Sequence, residues 1–386
     1  MRDVCIVGVG TSQWGEVWRK SLRELFADAA LQAVENSNVE FLDGLYVGCM
    51  SGGLFVGQEH LGALCADYMG QPGLSACHVE SACASGGMAV RSAFIEVGSG
   101  ISDVVLAAGV EKMTDVDGDD ATYALATAAD QEYEVFHGAT FPGLYAMMAH
   151  AHMAKYGTTR DMLSAVAVKN HKNGSMNPMA QYPFEISMEQ VANSVMVADP
   201  LHILDCSPIT DGAAAAVVCT EEIAKKTGKP YVKILGCGVG TDTIQLAQRE
   251  DITQIKASKL AAERALAMAG KKLSDINCLE VHDCFTIAEI AILESIGLYE
   301  PGKAGPAILN GETALDGKLP VNTSGGLKSK GHPVGATGVA QVVEVYKQLT
   351  GQAEGDRQLK SSPEIGMTQN MGGSGASSVV HILEVA

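Results

Sequence analysis

The chain has 386 residues, 47% of them hydrophobic and 19% charged, with a net charge of −18. That length supports two or three domains rather than one, and the acidic excess argues against nucleic acid or an anionic membrane surface as a bulk partner. Met1 leads almost directly into "DVCIVGVG" with no basic and apolar leader, and no uncharged apolar run approaches the roughly 18 residues that span a bilayer, so a cytoplasmic protein without a membrane segment is expected.

The first predicted element is a strand at "VCIVGVG" from Val4, followed by an alanine-rich helix around "LFADAAL" from Leu25 and a short strand at "GLYVGC" from Gly44. The same order returns later: "VKILGCG" from Val232, "LAAERAL" from Leu260 and "CLEVHDC" from Cys278. The two strands share V-x-I-[VL]-G-x-G and the two helices L-x-A-[DE]-x-A-L, which predicts duplicated α/β halves with mostly buried sheets. In the first half "VESACASGGMAVRSAF" precedes the apolar strand "DVVLAAG" at Asp103; in the second "GHPVGATGVAQVVEVYKQL" precedes "GMTQNMGG" at Gly366. Val339, Val342, Val343, Tyr346 and Leu349 form one apolar stripe at helical spacing. Between about Met113 and Asp205 the pattern gives way to Met-, His- and Gly-containing stretches too long for a plain loop, which predicts an inserted subdomain with its own helices before a strand resumes at "DGAAAAVVCT" from Asp211.

Ten cysteines are scattered mostly through apolar segments without paired C-x-x-C spacing. A disulfide scaffold and a structural zinc site are therefore not expected, and most of these residues read as small core side chains. Cys83 stands out by its neighbours. A thiol at the first turn of a helix faces free backbone N–H groups and the positive end of the helix dipole, which lower its pKa. On these residues alone, a tight helix–sheet contact needing only small side chains explains the stretch equally well.

Three later stretches carry polar chemistry. "NTSGGLKSKGHPVGATG", Asn322 to Gly338, sets His332 before Pro333, where a helix can begin, and a histidine held there can take the proton of a cysteine. "VHDCF", Val281 to Phe285, places His282 and Cys284 on one side of an extended strand and Asp283 on the other, although a lone histidine at a strand end is more often structural. "NMGGSGAS" from Asn370 offers approachable backbone N–H groups, a weakly specific signal.

Together these stretches resemble the thiolase superfamily, and within it the sterol-carrier-protein-2-like thiolases, including the archaeal acetoacetyl-CoA thiolases. "SACASGG", "NPMAQYP", "DPLHILDCSPITDGAAA", "HDCF" and "GHPVGATG" occur in family order along essentially the whole chain. The resemblance implies an α/β thiolase fold, a duplicated five-layer α/β/α/β/α arrangement with an inserted loop subdomain: residues 1–112 with 206–228 as one half, 113–205 as the insert and 229–386 as the other half. It implies an acetyl-CoA C-acetyltransferase that condenses two acetyl-CoA into acetoacetyl-CoA and CoA, reversibly, and feeds the mevalonate pathway of isoprenoid biosynthesis. Cys83 would accept the acyl group and His332 activate it. Many thiolases carry N-E-A-F and a late C-x-G motif where this chain reads "HDCF" and "NMG", so Cys284 would move the C2 proton in place of the late cysteine, and His282 would stand for the asparagine at the thioester oxygen. The implied oxyanion holes are His282 with His332, and the N–H groups of Cys83 and Gly372.

No permanent cofactor or metal is implied; the substrates are coenzyme A thioesters. Their binding residues stay unassigned, with Lys169, Lys172, Lys328 and Lys330 as candidates for the phosphates. Family membership further implies a homodimer or homotetramer and a complex with 3-hydroxy-3-methylglutaryl-CoA synthase through a zinc-ribbon and OB-fold protein. Two rival readings stand beside it. A β-ketoacyl synthase uses one cysteine and two histidines, which Cys83, His282 and His332 imitate, but it needs no α-proton base and leaves Cys284 without a task. A non-catalytic acyl-CoA- or lipid-binding subunit would have no need of an intact nucleophile and histidine.

Overall fold

The computed structural model describes residues 1–386. Its main sheet has nine strands: β1 (Val4–Thr11), β2 (Gly44–Gly48), β3 (Ser75–Val79), β4 (Val104–Glu111), β5 (Gly212–Thr220), β6 (Val232–Thr241), β7 (Cys278–Glu280), β8 (Ile365–Gly372) and β9 (Ser377–Val385). They are hydrogen-bonded in the order β3-β2-β4-β5-β1-β6-β9-β8-β7. Divided between β1 and β6, the order repeats: β2-β4-β5-β1 in one half corresponds to β7-β8-β9-β6 in the other, each with a parallel first pair and antiparallel neighbours after it. Only β3 has no counterpart. A short antiparallel contact, Cys5 with Lys233 and Ile6 with Val232, joins the halves.

The helices that position the site are α1 (Leu22–Ser37), α2 (Ser85–Ser99), α3 (Phe141–Tyr156), α4 (Arg160–Gly174), α5 (Lys256–Ala269), α6 (Thr286–Ser295), α7 (Gly326–Ser329) and α8 (Thr337–Thr350). Side-chain alternation along the strands sorts them into layers. On β5, Ala213, Ala215, Val217 and Cys219 pack with α1, whereas Ala214, Ala216 and Val218 pack with α2 and α8. On β9, Val379 and Leu383 join that same central core, and Val380 and Ile382 face α5 and α6. The succession is helix, sheet, paired central helices, sheet, helix, the expected five layers.

The repeated glycines have a steric cause. A Cβ on Gly8 would lie 2.4 Å from the carbonyl of Ala33, and one on Gly238 would lie 2.0 Å from that of Ala261. Glycine on the strand and alanine on the helix therefore let α1 and α5 seat directly on β1 and β6, which is why the same pattern occurs twice. The central helices meet in the same way, start to start. A Cβ on Gly86 would lie 2.6 Å from the carbonyl of Gly335, and one on Gly338 would lie 2.1 Å from the nitrogen of Gly87. Gly86 and Gly87 cost α2 roughly 1 kcal/mol each relative to alanine. Burial of Val90, Phe94 and Val97 on the same helix offsets this at about 1.5–3 kcal/mol per side chain.

Residues between β4 and β5 contain α3 and α4, shorter helices at Gly118–Ala126 and Met188–Asn193, and a small hairpin of Met196–Ala198 with Leu201–His202. Leu144, Tyr145, Met148, Leu163 and Val166 from α3 and α4 share one core with Ile287, Ile290 and Leu293 of α6. The inserted segment is thus packed into the second half rather than standing apart from it. No helix is long and apolar enough to cross a membrane.

Candidate active site

The chain leaves β3 at Val79 and reaches α2 through "ESACA", where Ala82 adopts φ +50° in the left-handed region that a non-glycine residue occupies only when its surroundings enforce it. Three contacts do so. Glu80 accepts the Ala82 N–H, and Ser85 Oγ accepts the Ser81 N–H at 2.9 Å while donating to the Ala82 carbonyl at 2.6 Å. Asn370, from β8 in the other half, donates through Nδ2 to the Cys83 carbonyl at 2.9 Å and accepts the Gly87 N–H at 3.2 Å. The turn carries Cys83 just ahead of the helix and 9% exposed.

His332 is brought to the thiol by the start-to-start contact of the central helices. Its own N–H donates to Thr210 at 2.9 Å, and Glu111, fully buried, accepts the N–H groups of Met50, Ser51 and Gly335 and so ties the turn after His332 to the first half. The regular helix begins at Thr337, four residues after Pro333, and a turn in which the Pro333 carbonyl accepts the Ala336 and Thr337 N–H groups leads into it. His282 follows β7, which ends at Glu280, and its backbone N–H donates to Gln369. The nitrogen and sulfur atoms of Cys83, His282 and His332 all lie within 4.8 Å of one another, with the imidazoles 4.9 Å apart edge to face.

Hydrogen bonding distinguishes the two imidazoles. Asn370 is oriented by the Gly87 N–H and the Cys83 carbonyl, so the group 3.2 Å from His282 Nδ1 is its amide donor. Nδ1 therefore accepts, neutral His282 carries its hydrogen on Nε2, and that buried Nε2 has no protein partner. His332 is the reverse. Thr337 Oγ1 donates to the Pro333 carbonyl at 3.0 Å and accepts from His332 Nδ1 at 2.7 Å, which leaves a lone pair on His332 Nε2. Burial keeps both rings neutral: it depresses His282 well below the ordinary histidine range, with His332 adding to the effect, and lowers His332 to about 3, with Lys330 adding to it. The site thus holds one donor and one acceptor.

The thiol does not have the lowered pKa expected from the helix dipole. Burial pushes Cys83 up to about 12, opposed by hydrogen bonds to the sulfur from the N–H groups of Gly373 and of Cys83 itself. Desolvation outweighs the dipole here because the sulfur is buried and sits ahead of the helix, and the thiol needs a base. The expected second donor, Gly372, ends β8, paired with Ser377, and the next residue, Gly373, opens the following turn at φ +61° and lines the cavity with Cys83.

Cys83, Cys284 and His332 line one cavity of about 170 Å³, whose walls include Met113, Leu125, Phe141, Tyr145, Ile209 and Phe285. Burial raises the Cys284 thiol above its ordinary value, and the neighbouring Tyr145 hydroxyl, which lines the same cavity, opposes the rise. Asp283 turns the other way, accepting the N–H groups of Leu327 and Lys328 at the start of α7 and the Asn170 amide. Three of the four candidate lysines are engaged internally and are not phosphate ligands at an open mouth. Lys169 pairs with Glu289 at 2.6 Å, Lys328 donates to the Cys206 carbonyl, and Lys330 lies 3.8 Å from Glu280 and over the Trp14 ring. Lys172 is exposed but lines a separate groove of about 1120 Å³.

A thiol and two imidazoles so close together are also a metal-ligand set, but His282 opposes that use. A ligating imidazole needs a free lone pair at the metal and usually donates its other N–H to an acceptor, and here the Asn370 donor fixes the opposite tautomer.

Comparison with known proteins agrees with this geometry. Residues 4–222 match the thiolase N-terminal domain model and residues 238–385 the thiolase C-terminal domain-like model. The acetyl-CoA acetyltransferases of Methanothermobacter thermautotrophicus and Methanocaldococcus jannaschii are 51% and 47% identical, each alignment covering 99% of both chains. Among solved structures, the Ltp2-ChsH2(DUF35) aldolase superposes with a TM-score of 0.84 at 25% identity, covering 99% of this chain and 98% of that one. With both halves matched and a cysteine turn from one half closed against a histidine turn from the other, the chain belongs to the thiolase family.

Proposed function

We propose the following reading of the site. The protein is an acyltransferase, an acetyl-CoA C-acetyltransferase, and the observation that carries the mechanism is the opposite tautomers of His282 and His332 beside one thiol. His332 Nε2 takes the Cys83 proton as the sulfur adds to the carbonyl of acetyl-CoA. The tetrahedral oxyanion is held by the N–H groups of Cys83 and Gly373. Coenzyme A leaves with the Cys284 proton, so the acetyl-enzyme stands beside a Cys284 thiolate and a His332 imidazolium. His332 Nε2 then has a hydrogen, and with His282 Nε2–H it offers two donors to the thioester oxygen of a second acetyl-CoA. Cys284 removes the C2 proton, the enolate carbon attacks the acetyl group, and Cys83 departs as thiolate to recover its proton from His332. Acetoacetyl-CoA is the product, and the reverse sequence is thiolysis.

The reading is tested by incubating the purified protein with acetoacetyl-CoA and coenzyme A. Acetyl-CoA should form, with an acetyl group trapped on Cys83, and a malonyl thioester should not be decarboxylated. Turnover of the malonyl thioester alone would favour the β-ketoacyl synthase reading, and no reaction with either would favour a binding subunit. The donor role of His282 has its own test. Asn370→Asp replaces the amide donor by an acceptor, moves the His282 hydrogen to Nδ1 and removes one oxyanion donor. Condensation should fall about 10²–10³-fold, and micromolar zinc should now inhibit, since a lone pair faces Cys83. Unchanged turnover in that variant would refute the assignment.

Resemblance to the family supports a homo-oligomer in the cytoplasm, supply of acetoacetyl-CoA to the mevalonate pathway, and association with 3-hydroxy-3-methylglutaryl-CoA synthase through a zinc-ribbon and OB-fold protein. Co-purification with the synthase is the direct check.

A further inference from the structure

Cys284 has to exist for part of the cycle as a thiolate inside an apolar cavity, and the groups around it are few. Cys83, Cys206, His332 and Tyr145 are the titratable side chains that line its cavity, Asp283 and Lys328 act on it from outside the cavity, and Arg249 lies behind Tyr145. Of these, Asp283 and Cys83 oppose a negative sulfur, and Lys328 is turned to the Cys206 carbonyl. Tyr145 is the neutral hydroxyl that remains. It is fully buried in α3, its ring stacked on Phe285, the residue after Cys284, with centroids 4.4 Å apart and planes at 23°. Its hydroxyl donates to the Gly373 carbonyl at 3.0 Å and lines the same cavity as both sulfurs.

We propose that Tyr145 is a positioning residue for Cys284, its hydroxyl accepting the S–H while Cys284 is a thiol and turning its own hydrogen from the Gly373 carbonyl to the sulfur once that proton is lost. A phenol rotates about one bond, so the exchange needs no movement of the stacked ring. A charge-assisted hydrogen bond to a buried anion is roughly twice as strong as the neutral bond given up. The step transfers no proton from Tyr145. It supplies the buried thiolate with a donor that the apolar walls do not offer.

This inference rests on the assignment of Cys284 as the C2 proton acceptor, and the test separates the two. In Tyr145→Phe the stack on Phe285 is kept and only the hydroxyl is lost. Acetylation of Cys83 by acetyl-CoA should stay within about threefold, whereas condensation and C2 hydrogen exchange should fall about 10–100-fold, the range of one modest proton-transfer contribution. In a Cys83→Ala background, alkylation of Cys284 by iodoacetamide, read by peptide mass, should have its pH midpoint raised by about one unit on adding Tyr145→Phe, a tenfold weakening of the thiolate. A merely structural role would lower acetylation and condensation together and leave that midpoint in place. An unmoved midpoint with condensation intact overturns the role of Tyr145 while leaving Cys284 assigned; condensation that survives Cys284→Ala overturns the assignment itself. Should Tyr145→Phe fail to fold, protein carrying 3-fluorotyrosine, a stronger donor, gives the complementary reading: the Cys284 midpoint should fall, and an unchanged one counts against the proposal.

Discussion

Cys83→Ala should eliminate the acetyl-enzyme and lower turnover by at least about 10⁴-fold, the scale on which removal of a covalent nucleophile leaves only binding and oxyanion stabilisation. The effect should be this large because the replacement leaves every other part of the site in place. Asn370 bonds to the backbone carbonyl of residue 83, and the Gly373 N–H and both imidazoles remain, so what disappears is the sulfur alone. Cys284 and Cys206 line the same cavity, but Cys284 lies against Tyr145 rather than against the amide pair that would hold a tetrahedral oxyanion, and the Cys206 thiol donates to the His202 carbonyl at 3.4 Å. Mass analysis of tryptic peptides after mixing with acetyl-CoA checks this. An acetyl group on the peptide of residue 284, or one surviving elsewhere, would move the nucleophile away from residue 83.

Cys284→Ala should divide the reaction. Acetylation of Cys83 should persist within about tenfold, since the departing coenzyme A sulfur can take the His332 proton instead, while condensation should fall about 10²–10⁴-fold for want of a group to remove the C2 proton. Rapid quench with labelled acetyl-CoA measures the first, and loss of deuterium from C2-labelled acetyl-CoA the second. A matching loss of both would mean that Cys284 serves the common cavity rather than the proton. The alanine leaves a small void at a residue only 6% exposed, so a melting curve should accompany the kinetics.

The duplicated halves were legible because their steric demand recurs. Gly8 and Gly238 are glycine for the same reason, a helix carbonyl within 2.4 Å of where a side chain would start, and a requirement that strict leaves a mark in both copies. The small residues around Cys83 and His332 were legible for a similar reason, and the tight contact expected there is made both with β2, at Gly48 against Ser85, and between the two helix starts. The tight packing of glycines at the helix starts is what sets the thiol beside the imidazole. Less was visible where distant segments decide. Lys328 and Lys330, candidates for the substrate phosphates on sequence, sit in a glycine-rich stretch that the fold buries, and Cys206 and Glu280 receive them inside. Tyr145 belongs to a helix with apolar residues on all sides, so no periodicity singles it out. Asn370 stands where many thiolases carry a late cysteine, and its own role is invisible in the sequence because its work is done on the Cys83 carbonyl and His282, 287 and 88 residues away. Gly373 in place of Gly372 is a matter of where a hairpin turns, a one-residue detail that glycine repetition conceals.

The joint where α2 and α8 touch tip to tip also governs when the chain becomes chemically competent. Cys83 comes from one half and His332 from the other, so this thiol meets this imidazole only where the glycines of the two helix starts interlock. The pairing of thiol with imidazole is in this sense a readout of assembly, since residues 83 and 332 are set side by side only by the closed joint.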